Sequence, residues 1–239
     1  PDWTLVYFDE NSLVFLKDIP QNKILIGKLK VDLKKYKTQK IDLEKIGMNN
    51  AYPWPYVKRA WIFYNLGMHE QAKDEAKEAL RILPSCSDAY NIIGRIYIKQ
   101  KQYPLAFESL RLARIYGPYD TETFIGLGDY YMETQKFEDA VKTYKKLTKL
   151  SPRYAEGFYL LRRDYAQANN TKSAIKSLRN ALKLDHFIAY YYQVLGELLE
   201  KNNDFKGAAA FYQDAIDMRL DKSNFYNLLS AVRNKTKVK

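Results

Sequence analysis

Alanine recurs at a fixed spacing of 34 residues through most of this chain. The first series is Ala72, Ala106, Ala140, Ala174 and Ala208. Seven residues behind it runs a second series, Ala79, Ala113, Leu147, Ala181 and Ala215. A period of this length is typical of stacked helix–turn–helix repeats, because every repeat buries the same face against its neighbours. The spacing therefore predicts a repeat architecture before any single motif is considered.

The period divides residues 53–222 into five repeats, each with a helix A followed by a helix B. The predicted repeats are 53–86, 87–120, 121–154, 155–188 and 189–222. Helix A carries a glycine where the two helices must approach closely, at Gly94, Gly128 and Gly196. Helix B is expected to end before a proline, because proline cannot continue a helix. These prolines are Pro84, Pro118 and Pro152.

The repeats share a pattern of aromatic, small and proline positions, which the second repeat shows most fully. Its residues are Tyr90, Ile93, Gly94, Tyr97, Tyr103, Ala106, Ala113 and Pro118. In this pattern residues 53–222 resemble the tetratricopeptide repeat family. The resemblance implies an all-α fold, a right-handed helix–turn–helix solenoid, and a scaffold that binds a protein or peptide without catalysis.

Three repeats depart from the family pattern, and in repeat five the departure is Leu220 at the proline position. Repeat one has Arg59-Ala60 where the family has a leucine–glycine pair. Repeat four has Arg162 at the small position of helix A and His186 in place of the proline. A large charged side chain at a close contact needs extra room, so we expect local distortion in repeat four.

Residues 1–52 precede the repeats and have a different pattern. Two runs rich in aromatic and branched residues, 3–8 and 13–16, flank a polar turn and predict a small β-hairpin. Residues 28–34 alternate apolar and charged side chains, which indicates an extended edge segment, and 41–46 is predicted as a short helix. Because an isolated hairpin is marginal in water, it must pack on the first repeat or on another part of the protein.

Several lysines surround this segment: Lys28, Lys30, Lys34, Lys35, Lys37, Lys40 and Lys45. Lysines on a strand edge prevent unwanted strand pairing, whereas a basic segment also attracts anionic lipid head groups. The whole chain has 39 Lys and Arg against 28 Asp and Glu, a net charge of +11. This charge indicates either an anionic partner or a lysine-rich solvated surface.

Residues 223–239 are predicted as a capping helix with a basic tail.

No motif in the sequence indicates catalysis or metal binding. There is no P-loop and no His-Glu-x-x-His, and His69 and His186 lie in linker regions of different repeats. Cys86 is the single cysteine and cannot form an internal disulfide. We therefore expect no cofactor, no metal and no enzymatic activity. No apolar run approaches the roughly 20 residues that a membrane span requires.

In the family that the repeats resemble, the second, fifth, ninth and twelfth positions of each repeat line a concave groove. The groove residues that this implies are Trp54, Trp61, Tyr64, Asn91, Arg95, Ile98, Asp129, Met132, Tyr159, Arg163, Tyr190 and Gln193. Tryptophan, tyrosine and arginine are common anchors of interfaces. The alternative for Trp54 and Trp61 is that both pack against the hairpin, which would shorten the groove.

The hairpin carries a second resemblance. Residues 2–18 are similar to the segment after the last membrane span of bacterial polytopic glycosyltransferase-like proteins that end in a tetratricopeptide tail. This resemblance implies an accessory domain on the extracytoplasmic side of a bacterial membrane, cut from a longer polypeptide. A cytoplasmic location is the alternative.

Nucleic-acid binding is a third hypothesis, based on the net charge. It is the least favoured, because the predicted groove also carries carboxylates that would repel phosphate groups. They are Glu122, Asp129, Glu156, Glu197 and Glu200. A groove that binds a protein or peptide is the first hypothesis.

Overall fold

The computed structural model describes residues 2–40, 42, 52–167 and 170–237. The strands are β1 (Trp3–Phe8) and β2 (Leu13–Lys17), and helix α1 (Lys23–Leu29) follows them. The A helices of the repeats are α2 (Trp54–Asn65), α4 (Ser87–Lys99), α6 (Thr121–Glu133), α8 (Ala155–Gln167) and α10 (Ala189–Lys201). The B helices are α3 (His69–Ile82), α5 (Tyr103–Tyr116), α7 (Phe137–Leu150), α9 (Thr171–Leu184) and α11 (Phe205–Asp217), and α12 (Lys222–Lys237) comes last.

The chain forms two compact units, Pro1–Gly126 and Leu127–Lys239, called here the N-terminal unit and the C-terminal unit. The boundary between them lies within α6. Paired helices with a small N-terminal sheet confirm the predicted fold class, an all-α helix–turn–helix solenoid. The short helix predicted over 41–46 lies, apart from Asp42, outside the described residues.

The turn from helix A to helix B has the same backbone conformation in four repeats. The φ angle is left-handed at Gly67 (75°), Lys101 (59°), Gln135 (60°) and Asn203 (62°). The equivalent position of repeat four, 169, is outside the described residues. A left-handed residue costs roughly 1–2 kcal/mol unless it is glycine or, less often, asparagine. Lys101 and Gln135 are therefore held in this conformation by the packing of their repeats.

The two alanine series lie at the contacts between helices, and all ten of their residues are fully buried. The glycines of helix A allow the same close approach from the other side. A Cβ added to Gly128 would overlap the ring of Tyr144, and one added to Gly196 would overlap the ring of Tyr212. Both tyrosines are fully buried. Each glycine thus provides the space that a buried tyrosine fills.

Repeat four has different residue types at both positions of this glycine–tyrosine contact. Arg162 stands where repeats three and five have glycine, and Leu178 stands where they have tyrosine. Leu178 is fully buried. The Arg162 guanidinium lies over the ring of Tyr159, with its Cζ 4.6 Å from the ring centroid. Helix α8 shows no break at the arginine, because Leu178 is smaller than a tyrosine and leaves room beside it.

The predicted hairpin is confirmed as an antiparallel pair, with Trp3 opposite Lys17. The prediction of an extended segment over 28–34 is wrong, because α1 extends to Leu29 and a 3₁₀ turn follows at Leu33–Lys35. The turn has a local cause: Asp32 Oδ1 accepts a hydrogen bond from the Lys34 N–H at 3.1 Å and reverses the backbone.

The N-terminal segment, residues 2–40, packs on the first repeat through Phe63 of α2. Phe8 and Tyr36 both contact this ring, with centroid separations of 5.2 and 5.0 Å. The Val31 N–H also donates to the Leu5 carbonyl at 2.9 Å and covers the edge of β1. The hairpin that would be marginal alone is therefore supported by the repeat it closes.

A buried carboxylate fastens the same contact. Glu75 of α3 is fully buried. It accepts hydrogen bonds from Tyr36 Oη and from Arg59 Nε, both at 2.9 Å. Burial raises the pKa of Glu75, and burial beside Glu75 raises the pKa of Tyr36 to about 12. Arg59 also pairs with Glu10 at 3.5 Å. The departure of repeat one from the family pattern thus supplies the cation that joins the hairpin to the helices.

The last helix, α12, covers the end of the C-terminal unit. Phe225, Leu229 and Val232 are buried in its core. The Phe225 ring lies 6.0 Å from that of Tyr212. The opposite side of α12 is exposed and largely polar, with Asn227, Ser230 and Arg233 on it, as the end of a repeat array requires.

Candidate interaction surface

The N-terminal unit places residues of three successive A helices in direct contact. Trp61 and Tyr64 of α2 meet edge to face, with ring centroids 5.6 Å apart. The guanidinium of Arg95 on α4 lies over both rings, at 5.3 and 5.6 Å from their centroids. Arg95 also pairs with Glu122 of α6 at 3.3 Å. We call these four residues the aromatic–arginine strip.

This strip is partly open to solvent. The side chain of Arg95 is 18% exposed and that of Glu122 is 41% exposed, and the two rings are half-buried. A cation held over aromatic faces is pre-oriented, so it loses little side-chain freedom when it meets an acceptor. Trp54, at the start of α2, is 52% exposed. Trp61 therefore contacts Tyr64 and Arg95. The aromatic ring on which the hairpin packs is Phe63.

Two other predicted groove residues of this unit are buried. Ile98 is 7% exposed, and Asn91 is fully buried. Within the described residues, neither amide atom of Asn91 has a hydrogen-bond partner. A Cβ on Gly126 would overlap Asn91 Oδ1, so this glycine makes the space that the amide occupies. An unpaired buried amide costs roughly 1–3 kcal/mol of stability.

The C-terminal unit also joins its predicted residues from helix to helix. Arg163 of α8 donates to Asp129 of α6 at 3.2 Å. Tyr159 of α8 lies 5.7 Å from the ring of Tyr190 on α10, which is 53% exposed. Gln193 accepts from Asn224 of α12 at 3.3 Å. Met132 is half-buried on α6.

Two residues absent from the predicted groove take part in this second set of contacts. The hydroxyl of Tyr144 on α7 donates to Asp129 at 3.0 Å. Arg163 lies 3.4 Å from the same tyrosine hydroxyl. Burial and the neighbouring Asp129 raise the pKa of Tyr144 well above its ordinary value. The sequence signal that could have found Tyr144 is the glycine at 128, which leaves room for a ring from helix B.

Asp164 is the other residue that the sequence analysis missed. It is fully buried, and in the described part of the chain neither carboxylate oxygen has a hydrogen-bond partner. Its ion-pair partner is the adjacent Arg163, whose Nε is 3.5 Å away. Burial raises the pKa of Asp164 to about 7, although Arg163 acts to lower it. No period or motif marks this aspartate, since the equivalent positions carry other residue types.

Metal, thiol and membrane-spanning sites find no support in the same residues. No group of three or more His, Cys, Asp or Glu side chains in the described ranges could hold a metal ion. Cys86 is buried, and burial raises the pKa of its thiol, which makes it a poor nucleophile. None of the helices described here combines the length and apolar character that crossing a membrane requires.

The paired helices and the contacts along their A helices define a class, the helical repeat proteins that serve generally as protein interaction scaffolds. The tetratricopeptide repeat family matches residues 57–120, 121–154 and 159–224. The chain belongs to the tetratricopeptide repeat family. Members are typically scaffolds without catalytic activity. Among curated proteins, no significant match was found.

Solved structures show the same fold at low sequence identity. PilF of Pseudomonas aeruginosa is 20% identical, with a TM-score of 0.65 over 80% of this chain and 92% of its own. A thermophilic repeat protein of Thermus thermophilus is 19% identical, with a TM-score of 0.59 over 75% and 98%. YrrB, described as having an unusual peptide-binding site, is 18% identical, with a TM-score of 0.55 over 77% and 95%. At these identities the likeness concerns the fold alone.

Proposed function

We propose that this protein is a non-catalytic scaffold that binds a protein or peptide partner on the A-helix side of its repeats. The observation that carries the proposal is the aromatic–arginine strip. It brings together tryptophan, tyrosine and arginine, the residue types that most often dominate binding energy at interfaces. Membership of the tetratricopeptide repeat family supports the proposal, as does the peptide-binding site described for YrrB.

The strip favours a partner segment that has an acidic residue beside an aromatic or aliphatic one. Arg95 is already paired with Glu122, a half-exposed side chain at the surface. A carboxylate on the partner can compete with Glu122 for the Arg95 guanidinium, because the Glu122 side chain is 41% exposed. Trp61 and the exposed Trp54 then offer apolar area to the neighbouring side chain of the partner.

We also propose that the C-terminal unit takes part, through Tyr159, Tyr190, Arg163 and Gln193. Arg163 and Tyr159 each contact a neighbouring A helix, and the two tyrosine rings provide apolar area. The five 34-residue repeats remain the proposed framework that places both sets.

Selection from a random peptide display library tests this proposal. The expected result is enrichment of peptides with an acidic residue next to an aromatic or aliphatic one. Trp61→Ala and Arg95→Ala should each lose the enriched peptides. Arg111→Ala is the matched control, since Arg111 is an exposed arginine of helix B that pairs with Glu108 at 3.0 Å. Enrichment that survives both strip variants would remove this surface from the function.

A further inference from the structure

The N-terminal segment presents an apolar surface that the proposed function does not use. Within Trp3–Leu29, six aromatic or long aliphatic side chains are 46–72% exposed. They are Trp3, Tyr7, Phe15, Ile24, Leu25 and Leu29. Scattered single apolar residues on a surface are ordinary, but a concentration within one short segment marks an interaction site.

Helix α1 contributes an apolar stripe to this surface. Residues three and four apart share a helix face, so Ile24, Leu25, Lys28 and Leu29 lie on one side. Ile26 points the other way and is half-buried. The helix packs against β1, which leaves the stripe facing solvent.

An open cavity of about 490 Å³ lies between the hairpin, the segment after α1 and the turn that joins α2 to α3. Leu5, Phe15 and Val31 line it, and Lys30 and Lys34 are part of the same wall. At this cavity the exposed ring of Phe15 and two of the lysines lie on one wall of the segment.

The charge of the segment is strongly one-sided. Residues 17–40 contain eight lysines against two aspartates, which is a net charge of +6. All eight lysines are exposed. In the described residues one of them is in an ion pair, Lys35 with Asp32 at 4.0 Å. Two such surfaces repel each other, so this charge opposes self-association and favours an anionic partner.

We propose that this surface docks the protein on an anionic lipid bilayer. The exposed aromatic and aliphatic side chains enter the boundary between head groups and acyl chains, and the lysines contact the anionic head groups. Exposed apolar residues beside lysines are the composition of segments that lie in a membrane interface. Phe8 and Tyr36, which pack on Phe63, hold the segment to the repeats, so docking would bring the first repeat to the bilayer.

Vesicle flotation tests the proposal with the full chain. Phosphatidylcholine vesicles are compared with vesicles that also contain phosphatidylserine, at low and high salt. We expect binding to the anionic vesicles only, weakened by salt. Tryptophan emission should shift to the blue on these vesicles, and Trp3→Phe should remove most of the shift.

Paired variants distinguish docking through this surface from nonspecific hydrophobic adsorption and from nonspecific electrostatic attraction. Replacing Lys30 and Lys34 by glutamine should weaken partition about thirty-fold, since one lysine near the surface contributes about 1 kcal/mol. Replacing Lys172 and Lys176, exposed lysines of α9, is the control and should have a much smaller effect. Ile24→Ser should also weaken binding, while Phe187→Ser, at a similarly exposed site, should not.

Three outcomes would overturn the proposal. They are absence of binding to anionic vesicles, equal binding to neutral vesicles, and equal effects of the N-terminal and control variants. Self-association that Ile24→Ser abolishes, without lipid binding, would instead assign the surface to a second copy of the chain. All of these variants change exposed side chains, so circular dichroism should show unchanged folding.

Discussion

Replacement of Gly196 by alanine should destabilise the C-terminal unit by about 2 kcal/mol. The new Cβ would overlap the ring of Tyr212 and lie 2.6 Å from its hydroxyl oxygen. The Tyr212 ring is fully buried, and its hydroxyl donates to Glu200 at 2.9 Å. The ring therefore has no free space into which to move. Overpacking of this kind costs about 1–3 kcal/mol, and a strained hydrogen bond adds roughly 1 kcal/mol. The higher helix propensity of alanine returns about 1 kcal/mol.

Urea denaturation followed by far-ultraviolet circular dichroism measures this loss. The three tryptophans, Trp3, Trp54 and Trp61, all lie in the N-terminal unit. Their fluorescence therefore follows that unit by itself. Gly27→Ala is the control, because no atom lies within 4 Å of the added Cβ, and it should be neutral or slightly stabilising.

Repeat four suggests the compensating change. It has Arg162 at the position of Gly196 and Leu178 in place of the tyrosine. Tyr212→Leu should therefore relieve part of the damage in Gly196→Ala, and the double variant should be more stable than the sum of the two single changes. Wild-type stability of Gly196→Ala, or strict additivity in the double variant, would refute the packing argument.

Three further predictions concern other repeats. Lys101→Gly should raise the free energy of unfolding by about 1 kcal/mol, because glycine adopts the left-handed turn without strain; a lower urea midpoint would contradict this. Asn91→Leu should raise the free energy of unfolding by about 1–2 kcal/mol, because it removes an unpaired buried amide; an unchanged urea midpoint would contradict this. Asp164 has a folded pKa of about 7 against an ordinary 3.8, so the folded state binds its proton more tightly. Stability should therefore fall, by at most about 4 kcal/mol, as the pH rises between these values. Asp164→Asn should flatten this part of the pH profile, and an unchanged profile would contradict the assignment.

The repeat architecture was predictable because it depends on periodic small residues. The alanine series and the glycines at 128 and 196 mark close helix contacts, and such contacts tolerate few alternatives. The position of the hairpin was not predictable in the same way. It depends on Phe63, Arg59 and Glu75, single residues whose contacts form only when distant segments meet.

The surface was predictable in part. Trp61, Tyr64 and Arg95 were named from their positions in the repeats, and the structure brings them together. The burial of Asn91 depends on Gly126 of the next A helix, which a position within one repeat cannot reveal. The segment over 28–34 misled because its alternating pattern suits a strand, while Asp32 turns the backbone locally.

A double-mutant cycle between Arg95 and the acidic residue of a selected peptide tests the central proposal most directly. Isothermal titration calorimetry would measure Arg95→Ala, the peptide with its carboxylate replaced by an amide, and the two together. We expect each single change to weaken binding about tenfold or more, with a coupling of at least about 1 kcal/mol. Additive losses, or equal losses in Arg111→Ala, would show that the aromatic–arginine strip does not bind the partner.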